Sequence, residues 1–207
     1  MARLSPSELS DPARFRRLLT IEHASILPFV QEYYLVRRNW VVWSHYLLSV
    51  LCFAAVFWEG IASRASSAAW FKALGLAALG FILLIPLHEG IHGLVYRAQG
   101  ARDVRFGGSL RIMAFYAVAH DFVVGPSEFA WLALAPFLVI NGALLGLVLF
   151  SPGLRLTALV LSLLHLSAVS GDWAMLSFLW EHRGAAVYTY DDADRRISYF
   201  YQEETGP

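Results

Sequence analysis

Five consecutive residues carry the most specific chemistry in this sequence: His88-Glu89-Gly90-Ile91-His92, the pattern His-Glu-x-x-His. Positions i and i+4 of a helix share a face, so the two imidazoles can hold one metal ion. Glu89 stands beside the first histidine and can reach a water on that ion. Zinc suits such a set. Two imidazoles and one further ligand leave a position open, and a water bound there has a pKa of about 7. A carboxylate can then take the water proton and pass it to a leaving amine. The pattern arises by chance in about one chain in a hundred of this length and composition, so its surroundings must decide.

The surroundings are apolar. Of 207 residues, 57% are hydrophobic and 15% charged, where soluble domains carry roughly a quarter charged. The length allows one domain of ordinary size. Low charge and abundant aromatics exclude a disordered chain. Sixteen Lys+Arg balance sixteen Asp+Glu, which speaks against a nucleic-acid partner. A single cysteine, Cys52, excludes a disulfide scaffold. Four runs match the roughly 20 residues a helix needs to cross a bilayer: Trp40–Ile61, Ala73–Tyr96, Phe129–Phe150 and Leu156–Trp180. None alternates with period two, so each reads as a helix. The fold class expected is an all-α membrane protein with four transmembrane helices, spanning 40–180.

The His-Glu-x-x-His cluster lies inside the second run. Ionisable groups at membrane depth are expensive, and a bound cation with its ligands would compensate them. Candidates for a third ligand are His45, Glu59, His165 and Asp172. With four spans, the second and fourth run parallel. His88 lies 15 residues after Ala73 and Asp172 lies 16 after Leu156, so both sit about 23 Å from one end. Asp172 is therefore the favoured ligand, and Ser170-Gly171 before it permit close helix approach. His165 shares the Asp172 face about 10 Å further out, either lining the cavity and donating to a substrate or satisfied in the core. Asn141 could hydrogen-bond substrate or an oxyanion, or bridge helices. Pro86 should loosen the helix one turn before His88.

The remaining segments are expected to lie in the cytoplasm. In 1–39, Ser10-Asp11-Pro12 resembles a helix start, and Ala13–His23 reads as a basic amphipathic helix. These residues precede the first apolar run, unlike a cleaved signal peptide. Asp103–His120, with Gly107-Gly108 among aromatic and β-branched residues, reads as a β-hairpin-like segment between spans two and three. It could pair with an extended substrate by edge addition. In the tail, 181–207, Val187–Tyr190 and Ile197–Tyr201 flank Asp191-Asp192-Ala193-Asp194 as a short hairpin with a solvated turn. Thirteen basic residues, Arg111 among them, fall on one side of this topology and three on the other, which puts both termini inside an integral membrane protein.

At His88–His92 and Asp172 the sequence resembles the site-2-protease-like intramembrane zinc metalloproteases, and more closely a group of small membrane proteins classed as zincin peptidases. The likeness covers roughly Ile82 to Trp180. It differs in having Gly171-Asp172-Trp173 where better-known members carry Leu-Asp-Gly. The resemblance implies zinc on His88, His92 and Asp172, with Glu89 as the base. The function expected is a zinc-dependent endopeptidase acting on membrane or membrane-proximal protein segments within the lipid bilayer. The alternative is a non-catalytic membrane scaffold or binding protein that retains a metal site. A transporter would need a polar pathway, and the outer halves of spans two, three and four are almost wholly apolar.

Overall fold

A computed structural model describes residues 3–109 and 114–204. Arg111, and the 110–113 link of the expected hairpin, lie outside these. The chain opens with one helical turn, α1 (Pro6–Leu9), started by a reciprocal cap: Ser5 Oγ accepts from the Glu8 N–H, and the Ser5 N–H donates to the Glu8 carboxylate. The helix start expected at Ser10-Asp11-Pro12 is instead part of a turn.

The amphipathic helix expected over Ala13–His23 is a strand, β1 (Phe15–Glu22). Its sequence, FRRLLTIE, buries Phe15 and Ile21 and fits either period over so short a stretch. Tertiary pairing decides. From Phe15↔Glu203 to Glu22↔Ile197 it runs antiparallel to a strand near the C-terminus, with a bulge between Arg17 and Leu19. A short helix, α2 (Leu27–Val30), then continues into a π-helical turn, Gln31–Val36.

Three long helices follow the apolar runs: α3 (Trp40–Ala62), α4 (Ser67–Ala98) and α5 (Pro126–Phe150). Asn39 caps α3 by accepting from the Val41 and Val42 N–H groups. Each of the three is long and apolar enough to cross a membrane. Their outer faces expose Trp58, Ile61, Phe71, Leu83 and Phe150, a surface that suits hydrocarbon and not water. Between α4 and α5 stands the expected hairpin, β2 (Val104–Ser109) paired antiparallel with β3 (Ala114–Ala119).

The fourth run is broken. It forms α6 (Arg155–Ala168) and α7 (Ser170–Glu181), bent by 51° at Val169. Ser170 and Gly171 are weak helix formers just after that bend. The tail then gives β4 (Val187–Asp192) and β5 (Ile197–Glu203), so the fold is mostly helical but not all-α. Its larger sheet has the order β1-β5-β4. The segments before α3 and after α7 thus share one sheet. That sheet is bound to the helix ends by a core including Ile21, Phe29, Tyr96, Phe129, Phe178 and Phe200. Phe200 sits at its centre, with ring centroids 5.2 Å from Phe178 and 6.0 Å from Phe129.

Candidate metal centre

α4 continues through Pro86 and presents His88 and His92 on one face, one turn apart. The break at Val169 makes Asp172 the third residue of α7. A carboxylate in the first turn of a helix faces its positive end. The two helices bring the three side chains together. The Nε2 atoms of His88 and His92 are 3.1 Å apart. His88 Nε2 lies 3.2 Å from Asp172 Oδ2, and His92 Nε2 lies 3.4 Å from Asp172 Oδ1. A tetrahedral ion with ligand bonds of 2.0–2.1 Å needs ligand atoms about 3.3 Å apart. The donor set is therefore of zinc type and zinc size.

Two buried oxygens reinforce this. Asp172 Oδ2 makes no hydrogen bond although His88 Nε2 is within 3.2 Å. The contact lacks hydrogen-bond alignment, as expected of groups that converge on a common point. Glu89 Oε2 is also buried without a partner. Glu89, His88, His92 and Asp172 all line one cavity of about 210 Å³.

Hydrogen bonds behind the ligands set their orientation. His92 Nδ1–H donates to the Leu132 carbonyl (3.0 Å) on α5, which leaves Nε2 with its lone pair. His88 Nδ1 lies 3.2 Å from His165 Nε2, and His165 Nδ1 lies 2.7 Å from the Asn141 amide. The amide selects the tautomers of both rings. With its nitrogen toward His165, the order of donors places a proton on His88 Nε2. With its oxygen there, His165 Nδ1–H donates to Asn141, His88 Nδ1–H donates to His165, and His88 Nε2 is free to bind a cation.

The other sequence candidates separate clearly. His165 is 1% exposed and, like Asn141, does not line the cavity. Both stand behind His88. His45 is equally buried. Its Nε2–H donates to the Leu166 carbonyl (3.0 Å), and its Nδ1 accepts from the Tyr34 hydroxyl (2.6 Å). Burial pushes Tyr34 up to about 12, so that hydroxyl keeps its proton. Glu59 sits beside Arg155 (3.7 Å) near the start of α6. The space where a Cβ of Gly171 would stand is open. This glycine lines the cavity and is not a helix contact.

In the tail turn, Asp192 accepts from the Arg195 N–H and Asp194 from Arg105. Hydrogen bonds from Arg105 hold the Asp103 and Asp194 carboxyls below the usual range. Asp194 thus lies in the expected solvated turn, whereas Asp191 and Asp192 belong to β4 and Asp191 is buried.

Sequence reasoning missed the far wall of the cavity. It holds His23, Tyr96, Asp191 and Ser198. Tyr96 repeats the spacing of His88 and His92 along α4. Nothing in the sequence links His23 to Ser198, 175 positions away.

Paired histidines one turn apart, a glutamate beside the first and an aspartate from a second helix define a zincin-type metallopeptidase site. Residues 81–187, just over half of the chain, match the model of a family described as "Putative zincin peptidase", and the chain belongs to that family. The matched segment contains every residue of the His88–His92–Asp172 cluster and its His165–Asn141 support. No curated protein and no solved structure matches the chain.

Proposed function

We propose that this protein is a membrane-embedded zinc endopeptidase of the site-2-protease-like kind, cutting peptide bonds in membrane or membrane-proximal protein segments. The convergence of His88, His92 and Asp172 at tetrahedral spacing, with a partnerless Glu89 oxygen in the same cavity, carries this reading. Zinc held by these three residues would polarise the scissile carbonyl and acidify a water. Glu89 takes a proton from the attacking water. It returns that proton to the amine nitrogen as the C–N bond breaks. Leu132 and His165 fix the two imidazole rings. β3 pairs with β2 alone among the described strands, and its residues Phe115–Val118 line the cavity. Its free edge can hold a substrate extended, as hydrolysis of a helical segment requires.

The apolar outer faces of α3, α4 and α5 support a place in the bilayer, with the bent α6–α7 pair taken as a fourth crossing. An even number of crossings agrees with the pairing of β1 and β5, which puts the two terminal segments at the same end of the bundle. The excess of arginine at that end supports a cytoplasmic location for it. The test is a comparison of purified variants. Wild type should carry about one zinc per chain and cleave a membrane-anchored reporter. Glu89→Gln should keep the metal and lose the cleavage. Retention of metal by His88→Ala, or undiminished cleavage by Glu89→Gln, would overturn the proposal.

A further inference from the structure

The cavity has a second polar pole. Asp191, on β4, is 7% exposed. Its Oδ1 accepts from the Ser198 hydroxyl (2.5 Å), and its Oδ2 accepts from the Tyr96 hydroxyl (3.3 Å). These are neutral donors. Among the described residues, no lysine or arginine lies within ion-pair distance of Asp191; the imidazole of His23 is 3.8 Å away. That imidazole is engaged elsewhere: Ser198 has given its proton to Asp191, so its oxygen accepts from His23 Nε2–H (3.1 Å). The other ring nitrogen, His23 Nδ1, is then an acceptor, and it is buried without a partner. All four residues line the cavity that holds Glu89 and the metal cluster.

With a neutral His23, the valences this pole leaves free are acceptors. A buried carboxylate and a free imidazole lone pair together ask for a group rich in donors, without lone pairs, and positively charged. An ammonium or a guanidinium has those properties. Tyr116, whose ring packs 4.6 Å from that of His23, adds an aromatic wall of the kind cations favour. We propose that Asp191, with His23 and Ser198, is a subsite for a cationic group of the peptide substrate, supplied by a lysine or arginine side chain or by a free amino terminus. The proposal rests on the peptidase reading and gives it a specificity.

The position of the subsite bounds where the charge must lie. Tyr96, which touches Asp191, follows His92 by one helical turn, about 6 Å along α4. An extended peptide advances about 3.3 Å per residue. The recognised charge therefore falls within about two or three residues of the bond to be cut.

Binding separates this proposal from the peptidase reading. The probe is a set of fluorescent, β-prone decapeptides, each with one Lys, Arg or Gln at a scanned position and the amino terminus free or acetylated. They are titrated by anisotropy against full-length, zinc-loaded Glu89→Gln protein in nanodiscs. At the favoured position Lys or Arg should bind about tenfold tighter than Gln, the worth of a charge-assisted hydrogen bond. Asp191→Asn should remove that advantage and leave the Gln peptide unchanged. An advantage lost on acetylation, but not on Lys→Gln, assigns the charge to the chain terminus. Equal or undetectable binding of all peptides, or a preference that survives Asp191→Asn, overturns the subsite. The Lys-to-Gln comparison on unaltered Asp191 protein stands even if that variant fails to fold. Charge-selective binding without cleavage by the wild type would sink the peptidase reading alone.

Discussion

His45 and Trp173 stack with ring centroids 4.8 Å apart and planes 28° from parallel. Trp173 follows the metal-site aspartate, and His45 also donates to the Leu166 carbonyl in the last turn of α6. One imidazole thus pins both sides of the bend that turns Asp172 toward α4. His45→Ala should therefore weaken metal binding by about 10–100-fold, the range for supports of metal ligands. It should also destabilise the fold by about 1–3 kcal/mol through its lost hydrogen bonds. Zinc competition against a chromophoric chelator and thermal unfolding of the metal-free protein measure the two effects separately.

Stripping the metal leaves Asp172 and two imidazoles crowded at 3.1–3.4 Å. Chelation should lower the melting temperature. Adding zinc at a hundredfold excess over its dissociation constant should restore about 2.7 kcal/mol. Asp172→Ala should melt at the same temperature with and without zinc. A metal-dependent shift of full size in that variant would place the ion elsewhere.

His165 and Asn141 reach the cluster only through His88. Replacing His165 by Phe keeps an aromatic ring in a fully buried position while removing the ring nitrogen 3.2 Å from His88 Nδ1. Zinc affinity should drop by about 10–100-fold, and Asn141→Leu should follow in the same direction. If these residues bound substrate instead, affinity for zinc would be unchanged and KM would rise.

Gly171 has room for a side chain, and that room is the cavity. Gly171→Leu should leave zinc content unaltered and gain up to about 1 kcal/mol of helix propensity. Its cleavage of a membrane-anchored reporter should nonetheless fall at least tenfold. Full activity in a well-folded Gly171→Leu protein would mean that substrate does not pass this point.

Phe200 joins the terminal sheet to the helix ends, and the structure leaves it 1% exposed. Phe200→Ala should cost about 3–5 kcal/mol. Hydrogen exchange should show the loss first in β1 and β5, which Phe200 holds against Phe129 and Phe178.

The long helices were legible because each was coded by its own apolar run, independent of any partner. The hairpins were legible from β-branched and aromatic stretches around turn residues. His88 and His92 could be read because helical spacing alone puts them on one face. β1 could not: Phe15, Leu18 and Leu19 have helical spacing while Phe15, Leu19 and Ile21 alternate as in a strand, and the choice was made by a strand from the other end of the chain. The 51° bend at Val169 was hidden because Val169, Ser170 and Gly171 sit in an apolar run with no proline. For the same reason, reading Asp172 as part of one straight helix missed that it occupies the first turn of a new one. Long-range partnerships such as His23 with Ser198 leave no local pattern.

Because β5 supplies the partner of β1, the far wall of the cavity is assembled from polypeptide made before the long helices and polypeptide made after them. A nascent chain whose α4 has already formed lacks that wall until β4 and β5 have been made and have folded back.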